Sequence, residues 1–307
     1  MFSAKIEFIF EGMKRIILIL FLALTAFAAT AKSKVVTDSI AVNRLGVQQK
    51  YNVYLPSGYK ETGHYPVIYL LHGLWGCYRD WVELGQMERI ADLLMASGEC
   101  VPAVIIMPNA GDADVHNYQC GYFNVEGWPF EDFFFEEFLP QVEAKYHCGG
   151  VKGQRAIMGL SMGGGGTIVY AQRHPDMFSS AYGMSAWLEM KGRASRGSEV
   201  PHSKLAITDR SVEEHSALDF IDNAGDDTVA ALKAVKWFLD CGDDDFLLPQ
   251  SESLHQKMKA RGIKCELRVR DGAHRWEYWH SALTTALPFA SRSFSGDGSY
   301  PITIARE

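Results

Sequence analysis

Gly159-Leu160-Ser161-Met162-Gly163 is a G-x-S-x-G pentapeptide set between two segments of different character. Upstream, Gln154-Arg155-Ala156-Ile157-Met158 is a short apolar run that reads as a buried strand. Downstream, Met162 to His174 is rich in small residues and reads as a helix. A serine on so sharp a strand-to-helix turn is lifted above the sheet edge with its hydroxyl exposed. The flanking glycines permit a backbone path that a side chain would block. The Met162 N–H then lies at a helix N-terminus, a position suited to holding an oxyanion. Gly164, Gly165 and Gly166 extend the run, and a tight packing turn would use the same residues. The rest of the chain decides between the two readings.

Working outward, the chain alternates strand and helix signals. Lys34 to Leu55 alternates enough for two antiparallel strands. Pro66 to Leu71 and Val101 to Met107 are continuous apolar runs, typical of strands covered on both faces. Further strands are expected at Phe178–Ala186, Val235–Asp240 and Cys265–Val269. Helical spacing marks Glu83 to Ala96, through Leu84, Met87, Ile90, Ala91 and Leu94. It also marks Phe130 to Tyr146, which Pro140 should kink, and the stretches Leu247–Ala260 and Trp276–Ala290. This order predicts an α/β protein: a mostly parallel central sheet with helices on both faces and ligands at the carboxyl ends of the strands. Residues 188–233 are polar and form an unusually long connection, expected as an insertion over or beside the site.

Three further features fall on strand ends. Leu70-Leu71-His72-Gly73-Leu74-Trp75-Gly76 follows a buried strand, and such a loop supplies the second oxyanion donor in hydrolases of this build. Leu74 is assigned that role, and His72 is read as a structural brace of the loop. Asp240-Cys241-Gly242-Asp243-Asp244-Asp245-Phe246 ends another strand in an acidic turn, from which a triad needs one carboxylate. Composition does not choose among the four aspartates. Asp245 precedes the apolar Phe246-Leu247-Leu248, which should pack against the body and hold its neighbour inward. His274, in Asp271-Gly272-Ala273-His274-Arg275-Trp276, follows the last strand, completing the order Ser…Asp…His.

Composition bounds the partners. Of the 307 residues 22% are charged, as in a globular protein, and a net charge of -7 argues against nucleic acid as a partner. Residues 1–31 read as a signal peptide, with the start at Met13 as an alternative. Lys14-Arg15 precedes an apolar run from Ile16 to Ala29, too short to span a bilayer comfortably, and Ala29-Thr30-Ala31 fits a cleavage site. A periplasmic or secreted protein without stable membrane insertion is expected, with residues 32–307 forming one catalytic domain. Cys100, Cys148 and Cys265 fall near strand starts, and Cys77, Cys120 and Cys241 near strand ends. Bridges between those groups would need Cα atoms closer than a strand's length permits. A Cys77–Cys120 or Cys100–Cys148 bridge fits, and so do free buried thiols. No C-x-x-C or H-E-x-x-H spacing occurs, so no metal is expected.

Several segments together resemble the putative-esterase family of α/β hydrolases, which includes esterase D, feruloyl esterases and mycolyltransferases. They are Tyr69-Leu70-Leu71-His72-Gly73, Gly159-Leu160-Ser161-Met162-Gly163-Gly164, Cys241-Gly242-Asp243-Asp244-Asp245-Phe246 and Gly272-Ala273-His274-Arg275-Trp276-Glu277-Tyr278-Trp279. Trp128-Pro129-Phe130-Glu131-Asp132 and Glu137-Phe138-Leu139-Pro140 add to the likeness, which covers roughly Tyr51 to Phe289. It implies the α/β-hydrolase fold, Ser161 as nucleophile, His274 as base, Asp245 as acid, Leu74 and Met162 as oxyanion donors, and no cofactor. It also implies feruloyl or acetyl esters of carbohydrate as substrates. The insertion at 188–233 departs from the compact members. Tyr118, Tyr122, Phe123 and Trp187 are expected as an aromatic wall for a phenolic acid or sugar. An acyltransferase, a thioesterase of the S-formylglutathione type and a non-enzymatic binding protein are the competing readings.

Overall fold

Strands β1 (Lys34–Ile40) and β2 (Gln49–Leu55) pair antiparallel, Lys34 opposite Leu55 and Ile40 opposite Gln49. In this computed structural model, which describes residues 32–41, 43–111, 120–190 and 204–294, they begin one eight-stranded sheet. Strand β3 (Val67–Leu71) lies inside it, and β4 (Val104–Met107) pairs antiparallel with β2. The hairpin β5 (Asn124–Val125) and β6 (Trp128–Pro129) stands apart. The sheet continues through β7 (Arg155–Leu160), β8 (Ser180–Met184), β9 (Lys236–Gly242) and β10 (Cys265–Arg270). Its order is β1-β2-β4-β3-β7-β8-β9-β10, and every pair from β4 onward is parallel. The expected α/β-hydrolase architecture is the one observed.

The continuous apolar runs have a simple cause: both faces of the sheet are covered. In β3, Val67, Tyr69 and Leu71 join one core and Ile68 and Leu70 the other. A strand with period-two side chains can do this only if apolar at every position. Helices α1 (Asp80–Glu83) and α2 (Met87–Ala96) follow β3. They replace the single helix expected from Glu83. Gly85 lies where a Cβ would stand 2.7 Å from the Trp81 carbonyl oxygen, and Gln86 takes φ 51°, so the chain turns there. Leu84, counted in the helical spacing, is left 49% exposed.

The Pro140 helix also differs in detail. Helix α3 (Phe130–Phe133) runs into a π turn (Phe134–Phe138) before α4 (Leu139–Lys145). Pro140 has no N–H to give to the carbonyl four residues earlier, and it sits at the start of α4. The wider π turn accommodates that missing donor. Phe134 and Phe138 come to stack with centroids 5.8 Å apart.

Helix α5 (Met162–Arg173) follows β7. The long connection after β8 contains α6 (Lys204–Glu214), α7 (Ala217–Asn223) and α8 (Asp226–Leu232); its residues 191–203 lie outside the described residues. Helix α9 (Leu248–Ala260) follows β9, and α10 (Trp276–Ser291) follows β10. Helix α7 packs against α5 and α9, so this part of the insertion lies beside the helix that follows Ser161. All six cysteines are buried and free, in place of either candidate bridge. Burial pushes the Cys100, Cys120, Cys241 and Cys265 thiols up to about 12. Residues 1–31, read from the sequence as a signal peptide, lie outside the described residues. Among the described residues, no helix is long and apolar enough to cross a membrane.

Candidate active site

Ser161 caps α5 directly beyond the end of β7, with φ 54° and ψ -117°. A non-glycine residue rarely holds such a φ, and it is kept here by its surroundings. The Ser161 N–H donates to the Met184 carbonyl at 2.9 Å, and its own carbonyl accepts from Gly165 and Trp187, each at 2.9 Å. The motif glycines make this crossing possible. A Cβ on Gly159 would stand 2.5 Å from the Gly163 carbonyl oxygen, and one on Gly163 would stand 2.4 Å from that of His72.

Three expected residues come together in one hydrogen-bonded chain. The Ser161 Oγ lies 2.9 Å from His274 Nε2, and His274 Nδ1 lies 2.9 Å from Asp245 Oδ2 and 3.1 Å from Oδ1. With Nδ1 donating to the carboxylate, Nε2 is left to accept from the serine hydroxyl. Asp245 is 3% exposed. Burial pushes its carboxyl up, but the His274 ring, the Leu247 N–H and the Ser185 hydroxyl outweigh that and hold it below the usual carboxylate range. Phe246 and Trp279 flank the imidazole, with ring centroids 4.6 Å and 4.9 Å away, and the Trp279 indole N–H donates to Ser185 Oγ at 3.0 Å.

The other aspartates of the turn have different partners. Asp240 is fully buried and accepts from the Tyr182 and Tyr278 hydroxyls, with Arg270 at 3.4 Å. Asp243 is exposed and accepts the Gly272 N–H at 2.9 Å, tying the acid turn to the histidine loop. Asp244 is exposed. The packing expected of Phe246 is wrong: it is 59% exposed, and Leu247, 2% exposed, is the anchor that turns Asp245 inward.

Gly73, Leu74 and Ser161 line one open cavity of about 480 Å³. The Met162 N–H, at the first turn of α5, has no partner within its helix, and the helix dipole favours negative charge there. His72 braces the loop as expected. It is buried; its Nδ1 donates to the Gly73 carbonyl at 2.8 Å, and its Nε2 accepts from the Ala110 N–H at 3.0 Å. Burial pushes its pKa down, so the ring is neutral.

The aromatic wall needs correction. Trp187 lines the cavity, but Tyr122 and Phe123 do not. Tyr122 is fully buried, and its hydroxyl is spent on the His72 carbonyl at 2.9 Å. Phe123 stacks on His215 in the core, centroids 4.1 Å apart. Tyr118 lies outside the described residues. The aromatic lining comes instead from Trp75, Phe246, Trp276 and Trp279. Trp276 and Trp279 were legible as a helical i, i+3 pair directly after His274.

Comparison with known proteins gives the family. A family model described as putative esterase matches residues 42–290. The chain is 29% identical over 244 residues to an endo-1,4-beta-xylanase/feruloyl esterase of Xylanibacter ruminicola, covering 78% of this chain and 28% of that protein. It spans less than a third of the first curated relatives it matches. A solved ferulic acid esterase superposes with a TM-score of 0.82 at 45% identity, covering 86% of this chain and 99% of the other. An S-formylglutathione hydrolase of Staphylococcus aureus superposes with a TM-score of 0.67 at 21% identity, covering 85% and 100%, and shares the fold. With the family model spanning most of its length, the chain belongs to the putative esterase family.

Proposed function

We propose that this protein is an exported serine esterase acting through an acyl-enzyme on feruloyl or acetyl esters of carbohydrate. The observation that carries the reading is the continuous Ser161–His274–Asp245 hydrogen-bonded chain opening into a cavity. Ser161 Oγ attacks the ester carbonyl carbon while its proton passes to His274 Nε2. The carbonyl oxygen becomes an oxyanion held by the Leu74 and Met162 N–H groups. Asp245 stabilises the imidazolium, which then gives its proton to the leaving alkoxide as the C–O bond breaks. Water attacks the acyl-enzyme with His274 again as base, releasing the acid and restoring Ser161.

The 45% identical solved relative, a ferulic acid esterase, supports a feruloyl substrate. The basic and apolar N-terminal pattern supports export. The test is a panel of acetyl, feruloyl and long-chain acyl esters with purified protein. Faster turnover of acetyl or feruloyl esters is expected. Faster turnover of long-chain esters would contradict the substrate class, and absence of labelling by an active-site-directed phosphonate would contradict the serine mechanism.

A further inference from the structure

Three of the large hydrophobic side chains most exposed among the described residues, Trp75, Leu84 and Phe246, lie on the rim of the one cavity that holds Ser161. Exposed apolar groups gathered at a cleft mark a binding surface. Their placement relative to the histidine says which part of a substrate each can meet.

The leaving oxygen must lie at His274 Nε2, which donates its proton, while the carbonyl oxygen points to the Leu74 and Met162 N–H groups. The alcohol attached to that oxygen therefore leaves past the imidazole. Phe246 stands there, its centroid 4.6 Å from the imidazole and 59% of its surface open to solvent.

We infer that Phe246 is the platform of an alcohol subsite that stacks on a sugar ring of the leaving group. This rests on the esterase reading and deepens it. The aliphatic face of a sugar covers the exposed phenyl ring, and the ring hydroxyls stay in water.

The test compares esters that share one acyl group. A feruloyl ester of a neutral arabinose oligosaccharide and methyl ferulate give the same acyl-enzyme, so the ratio of their kcat/KM values reports the alcohol alone. Wild type should favour the sugar ester. Phe246→Ala should lower that ratio about five- to tenfold, the loss expected of one aromatic contact, and Phe246→Trp should restore it. Equal losses on both neutral esters would make Phe246 a brace for His274 and overturn the subsite. Wild-type protein inactive on every ester would instead overturn the esterase reading itself.

Discussion

Asp240 lies within β9 and Asp245 follows its end, yet their surroundings give them different tasks. Asp240 is committed to two tyrosine hydroxyls, and Asp245 faces the imidazole. Asp245→Asn keeps the shape but cannot stabilise the imidazolium, so turnover should fall about 10³- to 10⁴-fold. Asp243→Asn and Asp244→Asn change exposed carboxylates and should leave turnover within about tenfold, since surface changes away from buried networks have small effects. Steady-state rates on one ester check all three, and a crippling loss at Asp243 or Asp244 with an active Asp245→Asn would reverse the assignment. The apolar residues that follow it and the resemblance to the putative-esterase family singled out Asp245 in the sequence. The exposure of Phe246 was not legible, because an apolar residue beside an active site has the same local signature as one in the core. Tyr122 failed for the opposite reason: nothing local shows that its hydroxyl is spent on a backbone carbonyl one layer beneath the site.

At the scale of elements, one buried ion pair joins three segments that position the site. Arg155, at the start of the nucleophile strand β7, is held by Glu143 of α4 through Nε–Oε1 at 2.6 Å and Nη2–Oε2 at 2.8 Å. Tyr69 of β3 and the Gly150 N–H donate to the same carboxylate at 3.0 Å and 2.7 Å. Replacing Arg155 by Met leaves Glu143 buried without its charge partner, which costs about 3–5 kcal/mol of stability. Urea unfolding measures this; a loss below about 1 kcal/mol would show that the pair is dispensable. The strands were legible because burial on both faces leaves uniform apolar runs. The π turn and the break at Gln86 were not, because each is a backbone adjustment to a neighbour distant in sequence or to one missing donor.

Over the whole molecule, three carboxyls couple folding to acid. Asp38 is lowered to about 2: burial works against the charge, and Lys145, the Tyr146 and Tyr51 hydroxyls and the Ser39 N–H overcome it. Glu131, with burial opposed by His174 and Arg173, and Asp245 are also lowered. As pH falls the unfolded chain takes up protons first. Their stabilisation is therefore present in full above the unfolded carboxyl values and is lost as pH falls through the lower folded values. Stability should hold steady down to about pH 5 and drop steeply toward pH 2. Asp38→Asn should make that drop shallower in urea titrations at stepped pH. An unchanged acid slope would remove Asp38 from the linkage.

The most direct measurement is the turnover of a feruloyl or acetyl ester by Ser161→Ala, beside wild type, with the fold checked by circular dichroism. The nucleophile and its base act as a unit, so the folded variant should lose at least about 10³-fold in kcat/KM. A folded Ser161→Ala protein that hydrolyses the ester at close to the wild-type rate would contradict the serine mechanism.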